Sequence, residues 1–251
     1  MLAALKRLVS RPPQRMAAIP EGDLVYAIGD VHGRLDLLKK LWAMIEIDAK
    51  GSDSHKTVVF VGDYVDRGPD SKGVIDFLLH LELANSDFVF LRGNHDQSIL
   101  DFIADSSFYR SWRLFGAPET LVSYGVKPPR FDDDQSFERA RQEFVRQCPA
   151  EHVKFLQALR HSYSLGDYFF AHAGIRPGIA IEDQDPQDLL WIRDEFLNSK
   201  LPSGQVVVHG HTPEEVPKRR TYRIGIDTGA YATGKLTALV LEQTSHRFIS
   251  T

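Results

Sequence analysis

Short apolar runs alternate with helical patterns from residue 24 onward, and this alternation constrains the fold of the 251-residue chain more than any other feature. Each of three runs rich in β-branched and aromatic residues is followed by apolar residues at helical spacing. The apolar runs are residues 24–28, 57–61 and 88–91, and the helical patterns are residues 35–47, 74–83 and 97–103. A βαβαβα order predicts a sheet that is covered by helices.

Further strands are predicted where short apolar runs are separated by turn residues. These runs are residues 162–165, 168–171, 205–208, 222–226 and 236–241. We expect them to form a second sheet packed on the first. Residues 105–160 lie between the two groups of strands and have broken helical patterns with several aromatic residues. They predict a helical, cap-like insert, although ordinary core packing also explains the aromatic residues.

Composition limits the class of protein. A hydrophobic content of 43% is enough for one large domain or two small ones, and we expect residues 23–251 to form a single domain. The formal net charge of −4 gives no basic excess of the kind that binds nucleic acid. The single cysteine, Cys148, cannot form an intramolecular disulfide, which favours a reducing cytoplasm. No apolar run approaches the roughly 18 residues of a membrane-spanning helix.

Residues 1–22 are predicted to form a flexible basic tail. The first twenty residues contain four basic residues, three prolines and no acidic residue. Contact of this tail with a membrane surface is left open, as is the oligomeric state.

Polar clusters follow five of the predicted strands directly, and each contains glycine, which lets the backbone approach closely. The clusters contain Asp30 and His32; Asp63, Asp66 and Arg67; Asn94 and His95; His172; and His209 and His211. Because ligands of α/β sheets bind at the carboxyl ends of the strands, we expect the five clusters to converge at one sheet edge.

The clusters offer nitrogen and oxygen ligands and no thiolate. Such a set suits Mn²⁺, Fe, Zn²⁺ or Mg²⁺ and not a structural zinc site. The set is too large for one ion, and two ions about 3.5–4 Å apart, bridged by a carboxylate, would use it fully. Asp63 is the expected bridge. Arg67 can bind a phosphate through its guanidinium, and Asp66 can orient a neighbouring side chain.

Each cluster alone also has an ordinary structural explanation. Asp30 could cap the following helix in a tight turn, and His172 could be a hydrogen-bonded core histidine. His209 and His211 alternate at a strand end, so both lie on one side and only one needs to be a ligand. The ordered set of five clusters is therefore what favours a metal site.

The ordered motifs GDVHG, GDYVDRG, RGNHD, HAG and GHT resemble those of the phosphoprotein phosphatase family of metallophosphoesterases. The later segments LWIR, HTP and IDTGA look most like the compact bacterial and bacteriophage branch of serine/threonine phosphatases. The resemblance extends over residues 24–241 and is weakest over residues 105–160. It implies a four-layer α/β/β/α sandwich, with two mixed sheets flanked by helices and a dinuclear site, usually activated by manganese.

The resemblance also implies roles for individual residues. The first metal would be held by Asp30 and His32, the second by Asn94, His172 and His211, and Asp63 would bridge them. His211 and not His209 matches the ligand of the family. The catalytic acid would be His95 paired with Asp66, and the phosphate would be bound by Arg67, Arg193 and Asn94.

These roles lead to the expectation of a metal-dependent phosphomonoesterase. Its substrates would be phosphoserine and phosphothreonine in proteins or peptides, with phosphotyrosine and aryl phosphates also accepted, attacked directly by hydroxide held between the metals. The alternative is a symmetrical diadenosine tetraphosphate hydrolase; such relatives commonly have alanine where this chain has Asp66, which favours the protein phosphatase. A third hypothesis, an inactive phosphoprotein-binding protein, is disfavoured by the complete ligand set. Asp96 stands where eukaryotic relatives commonly have glutamate, a difference expected to matter little.

Overall fold

The computed structural model describes residues 16–200 and 204–251, and within them ten strands and ten α-helices. The strands are β1 (Asp23–Ile28), β2 (His55–Phe60), β3 (Ser86–Phe90), β4 (Ser162–Leu165), β5 (Tyr168–Ala171), β6 (Val206–His209), β7 (Lys218–Arg219), β8 (Arg223–Gly225), β9 (Thr237–Glu242) and β10 (Ser245–Ser250). The helices are α1 (Leu35–Ala49), α2 (Ser71–Leu78), α3 (Asn94–Ala104), α4 (Tyr109–Trp112), α5 (Ala117–Ser123), α6 (Asp134–Gln147), α7 (Ala150–Ala158), α8 (Pro186–Trp191), α9 (Asp194–Leu197) and α10 (Ala230–Thr233).

The strands form two mixed five-stranded sheets, as predicted. The first has the order β10-β9-β1-β2-β3, with β1, β2 and β3 parallel. The second has the order β4-β5-β6-β8-β7, in which β5, β6 and β8 are parallel and the edge strands are antiparallel to their neighbours. The carboxyl ends of three parallel strands therefore meet at one edge of each sheet.

One strand is not in the predicted sheet. The run at residues 236–241, expected in the second sheet, forms β9, which pairs antiparallel with β1 in the first sheet. Its residues are buried up to Leu241, and an apolar run that is buried on both faces has the same pattern in the centre of either sheet. The hairpin partner β10 was not predicted, because its residues are half-buried or exposed and carry little apolar signal.

Side chains alternate between the faces of each sheet and produce three separate cores. In β1, Tyr26 and Ile28 pack against the helices, while Val25 and Ala27 face the second sheet. In the second sheet, Phe170 and Val208 face the first sheet, whereas their neighbours Phe169 and Val207 pack against the segment containing α8 and α9. Three cores between four layers confirm the predicted α/β/β/α sandwich.

Helix α3 begins earlier than its apolar pattern indicates. The pattern predicts residues 97–103, but the helix starts at Asn94, so Asn94 and His95 lie in its first turn. The side chain of Asp96 accepts a hydrogen bond from the backbone N–H of Gly93, which caps the helix. The helix therefore holds two predicted site residues on regular backbone directly behind the end of β3.

The packed domain begins before residue 23. Ile19 is buried in the core between the sheets, and the backbone N–H of Ala18 donates to Asp167. Residues 1–15, where the rest of the predicted tail falls, lie outside the described residues. Over the described part of the chain, no helix is long and apolar enough to cross a membrane; the cytoplasmic location stays a prediction.

Residues 105–160, called the insert below, contain α4 to α7. Trp112, Leu121, Phe137 and Phe144 of the insert belong to the same core cluster as α1, α2 and α3. The insert therefore extends the helical layer on the first sheet, and its first two helices reach the carboxyl edge of that sheet.

Candidate metal centre

Five strand ends bring the predicted ligands together. Asp30 follows β1, Asp63 follows β2, Asn94 follows β3, His172 follows β5 and His211 follows β6. All of these side chains are buried, as is His32. The parallel strands thus deliver the whole predicted ligand set to one place, where the carboxyl edges of the two sheets meet.

Asp63 lies at the centre of the cluster. Its Oδ2 is 3.5 Å from His32 Nε2 and 3.4 Å from His172 Nε2. Two groups of potential ligands share this carboxylate: His32 and His95 form one group with it, and His172 and His211 form the other. His95 is the most distant, with Nε2 3.9 Å from Asp63 Oδ2.

The second group is compact. His172 Nε2 lies 3.0 Å from Asn94 Oδ1 and 3.1 Å from His211 Nδ1. The other ring nitrogen of His172 contacts the carbonyl of Val61 at 3.0 Å, and His32 Nδ1 contacts the carbonyl of Val65 at 2.9 Å. Such carbonyl contacts fix the tautomer and direct Nε2 toward a metal.

Two atoms of the predicted metal ligands are buried and have no hydrogen-bond partner in the described part of the chain. They are Asp30 Oδ1 and His211 Nε2. The other oxygen of Asp30 accepts a hydrogen bond of 3.0 Å from the backbone N–H of His211. A buried polar atom without a partner costs free energy, and a cation bound in the cluster would satisfy the Asp30 oxygen. The donor set therefore fits divalent metal ions.

Burial sets the protonation of the ligands. It lowers the pKa of His32 to about 3 and that of His211 to about 2, and it also lowers the pKa of His172. Burial opposes ionisation of Asp63, but the surrounding imidazoles, His172 first, hold the pKa of that carboxyl below its usual range. Neutral imidazoles around an ionised carboxylate are the forms that bind a metal.

The backbone at the site is unusual. Five residues other than glycine have positive φ: His32 (47°), Asp63 (54°), Asp66 (71°), Arg67 (67°) and His211 (64°). Such conformations cost about 1–3 kcal/mol each and are typical of functional sites. Gly93 and Gly210 add close approaches, since a Cβ at either would collide with the carboxylate of Asp63 or Asp30, respectively.

His95 and Asp66 form a hydrogen-bonded pair beside the ligands, with Nδ1 2.7 Å from Oδ2. Burial opposes protonation of His95, but the charges of Asp63 and Asp66 outweigh it and raise the pKa of this imidazole. The other ring nitrogen, Nε2, lies 3.2 Å from Arg67 Nη2. His95 is therefore held with a protonated Nδ1 toward Asp66 and with Nε2 toward the side of the ligand cluster.

The two predicted phosphate-binding arginines lie at different sides of the cluster. The guanidinium of Arg67 stacks on the ring of Tyr231, 4.5 Å from its centroid. Arg193 is exposed, and its Nη1 donates to the carbonyl of His211 and to Thr212 Oγ1, both at 3.2 Å. All the residues predicted for the site are thus brought together.

Asp96 contributes more than expected from the sequence. Its Oδ2 accepts from the N–H groups of Gly93 and Asp63 at 2.8 Å, and its Oδ1 accepts from the N–H of Tyr64 at 3.0 Å. Burial and the nearby charge of Asp63 raise the pKa of Asp96, whereas its three N–H partners, which can only donate, favour the ionised carboxylate. Asp96 therefore fixes the backbone that carries the central carboxylate, and the expectation that its difference from glutamate matters little stays a prediction.

Sequence reasoning also missed several neighbours of the site. Trp112 Nε1 and Thr120 Oγ1, both from the insert, donate to Asp66 at 2.7 Å and 2.6 Å. Asp227, in the IDTGA segment that follows β8, accepts from the N–H of Gly229 at 2.8 Å, and burial raises its pKa to about 6. A polar residue directly after a strand was the signal for Asp227, whereas no pattern marks Trp112 or Thr120.

The fold and this cluster define a metal-dependent phosphoesterase. The sequence profile of the calcineurin-like phosphoesterase family matches residues 24–239, and the chain belongs to this family. Members of the family use divalent metal ions, in agreement with the donor set.

The names of similar proteins refer to hydrolysis of nucleotides. A protein of Anoxybacillus flavithermus is 27% identical over 235 residues, covering 84% of this chain and 88% of the relative, and is named bis(5′-nucleosyl)-tetraphosphatase PrpE, asymmetrical. A protein of Bacillus mycoides with the same name is 27% identical over 231 residues, with the same coverage. A crystal structure of a candidate diadenosine tetraphosphatase has a TM-score of 0.62 at 22% identity, covering 93% of this chain and 98% of that one.

The expectation of a serine/threonine protein phosphatase is therefore wrong, because these relatives support the alternative of a dinucleoside polyphosphate hydrolase. The two curated relatives are named asymmetrical, whereas the expected alternative was symmetrical. Asp66 was the reason for preferring the protein phosphatase. In the structure its carboxylate orients His95, and an oriented imidazole beside the ligand cluster is compatible with both classes of substrate. The presence of Asp66 thus does not distinguish between them.

Proposed function

We propose that this chain is a metal-dependent hydrolase of dinucleoside polyphosphates that cleaves a phosphoanhydride bond of a bis(5′-nucleosyl) tetraphosphate. The observation that carries the proposal is the convergence of two ligand groups on Asp63, beside His95 and two arginines. The names of the similar proteins supply the substrate class.

Six residues would hold two divalent cations, and Mn²⁺ is the metal that we propose. They are Asp30, His32, Asp63, Asn94, His172 and His211. When bound, the cations would lower the pKa of a coordinated water and polarise the phosphoryl oxygens. One oxygen of Asp63 lies near imidazoles of both groups, which supports the proposal that Asp63 would be shared by the two cations.

Arg67 and Arg193 would bind oxygens of the polyphosphate. A tetraphosphate chain carries several negative charges, and guanidinium groups bind phosphate oxygens through paired N–H donors. Arg67 is held by Tyr231 and Arg193 by the backbone of His211, so both guanidinium groups are oriented before substrate arrives. This orientation favours in-line geometry at the reacting phosphorus.

His95 would donate the proton on Nε2 to the leaving oxygen. The charges of Asp63 and Asp66 raise the pKa of the His95 imidazole although burial opposes this, and the bond to Asp66 keeps Nδ1 protonated and the ring in place. The leaving group of an anhydride is a phosphate, whose second pKa is about 6. It needs less help from an acid than the alkoxide that leaves from phosphoserine.

A substrate panel with metal analysis on the same preparation tests the proposal. Diadenosine tetraphosphate, a phosphoserine peptide and p-nitrophenyl phosphate are compared by kcat/KM in the presence of Mn²⁺, and the products are identified by chromatography. We expect the nucleotide to be preferred, with AMP and ATP as products if cleavage is asymmetrical and two ADP if it is symmetrical. Asp63→Asn serves as the control for contaminating hydrolases.

A higher kcat/KM for the phosphopeptide would contradict the proposal. Metal-loaded protein that turns over none of the three substrates would favour the inactive, phosphoprotein-binding hypothesis instead.

A further inference from the structure

Trp191 is an exposed tryptophan at the edge of the metal centre. It ends helix α8 and is 44% exposed, which is high for a side chain with so much apolar surface. Its ring lies 6.2 Å from the ring of His211, at an interplanar angle of 85°. The indole therefore lies against one of the proposed metal ligands while much of its surface faces solvent.

Phe115 of the insert continues this surface toward the proposed proton donor. Its ring centroid is 5.1 Å from that of His95 and 6.4 Å from that of Trp191, and both contacts are close to perpendicular. Phe115 and Trp191 together are called the aromatic wall below. The wall extends from His95, where the leaving group would depart, to His211.

Arg193, a proposed phosphate-binding residue, and the aromatic wall both contact His211. Arg193 donates to the carbonyl of His211, and the Trp191 ring contacts the His211 imidazole. A phosphate bound to Arg193 would therefore have Trp191 as a neighbour. In the described part of the chain no ring is stacked parallel on the indole, and 44% of this residue is exposed.

We propose that the aromatic wall is a nucleobase-binding subsite, in which one base of the substrate stacks on Trp191 and Phe115 borders it on the side of His95. This inference rests on the proposed function, because it concerns the nucleoside part of the same substrate. Stacking on an aromatic side chain accepts every base, since each has a π face. The wall would bind the substrate without selecting one base.

Binding of a matched pair of ligands tests the subsite without hydrolysis. α,β-Methylene ADP and methylenediphosphonate share a bridged diphosphonate and differ in the adenosine, and neither has an anhydride bond to cleave. Their dissociation constants are measured by calorimetry on the Mn²⁺-loaded full chain. We expect Trp191→Ala to weaken binding of the nucleotide analogue about tenfold more than binding of methylenediphosphonate, which corresponds to about 1.4 kcal/mol.

Two further variants make the result specific. Trp191→Phe retains an aromatic face and should recover most of the lost affinity. Phe131→Ala removes a 69% exposed aromatic side chain of the insert that is not part of the wall, and it should bind both ligands as the wild type does. Equal losses for the two ligands in Trp191→Ala, or no loss, would overturn the subsite.

Turnover of diadenosine tetraphosphate by the wild type is measured separately. Hydrolysis without any Trp191-dependent difference between the two ligands refutes the subsite and leaves the proposed function standing. A Trp191-dependent difference without hydrolysis refutes the proposed function and supports a nucleotide-binding wall.

Discussion

Replacing Asp96 with asparagine should loosen the loop that carries the central carboxylate of the metal centre. Asp96 receives three backbone N–H groups, from Gly93, Asp63 and Tyr64, and both of its oxygens are used. An asparagine has one acceptor oxygen, so its NH₂ group must face at least one of the three N–H donors. The smallest loss leaves the N–H of Tyr64 without an acceptor, and the opposite rotamer leaves two.

The size of the effect follows from these contacts. A hydrogen bond to a charged group contributes about 1.5–3 kcal/mol, and a buried donor left without a partner costs about 1–3 kcal/mol. Removing the charge of Asp96 relieves its repulsion with Asp63, the second cause of its raised pKa, and this relief offsets part of the loss. We expect a net decrease of about 2 kcal/mol in the free energy of unfolding, or about 4–8 °C in Tm for a domain of this size.

Metal binding should weaken as well. Substitution of a residue that orients a metal ligand typically lowers metal affinity or activity about 10–100-fold. Asp96 acts on Asp63 through the backbone, and so the lower end of this range, about tenfold, is expected for the Mn²⁺ affinity of Asp96→Asn.

Urea unfolding of the metal-free protein measures the change in the free energy of unfolding alone, and Mn²⁺ titration by calorimetry measures the change in metal affinity. Asp101→Asn is the matched control: Asp101 lies on the same helix, is half-buried and accepts a hydrogen bond of 2.8 Å from Gln97. It should change neither quantity appreciably. Unchanged stability and unchanged Mn²⁺ affinity in Asp96→Asn would show that Asp63 is positioned without this clamp.

Three other variants test the assigned roles. Asp63→Asn should lower metal content and activity together, as measured by elemental analysis and kcat/KM, because the proposed bridge loses its charge; full activity with two metals bound would contradict this role. His95→Asn should retain its metals and lose more activity on a phosphoserine peptide than on diadenosine tetraphosphate. The reason is that an alkoxide leaving group needs the proton more than a phosphate does. Equal losses on the two substrates would argue against proton donation by His95. Trp112→Phe removes one hydrogen-bond donor to Asp66. It should lower kcat about tenfold or less with little change in KM. A change confined to KM would instead indicate that Trp112 contacts the substrate.

The metal centre was predictable because its residues follow strands directly. Asp63 comes at the end of an apolar run, and the carboxyl ends of parallel strands meet at one edge whatever the detailed register. Glycine, carboxylate and imidazole types then identify the chemistry. The sheet that β9 joins was not predictable in the same way, because pairing with β1 depends on contacts across the whole chain.

The partners of Asp66 were not predictable, for a related reason. Trp112 and Thr120 lie 46 and 54 residues away from Asp66 in the sequence, in a region whose aromatic residues fit core packing equally well. The substrate was also not predictable from the sequence, because Asp66 determines how His95 is oriented and not which bond is cleaved. Local patterns specify ligands at strand ends, whereas tertiary contacts decide how the neighbouring residues are used.

The insert and the strand ends contribute different residues to the site, which explains how one kind of ligand cluster can act on different substrates. The strand ends supply the proposed metal ligands, and the insert supplies donors to Asp66 together with Phe115 of the aromatic wall. At Gly116, with φ of 127°, the insert passes so close to Arg67 that a Cβ would lie 2.6 Å from its backbone nitrogen. A change in the insert therefore alters both the wall that faces the substrate and the carboxylate behind His95, while Asp63 and its imidazole neighbours keep their geometry. On a shared fold, substrate class is then decided by the contacts around the metal centre and not by the metal ligands themselves.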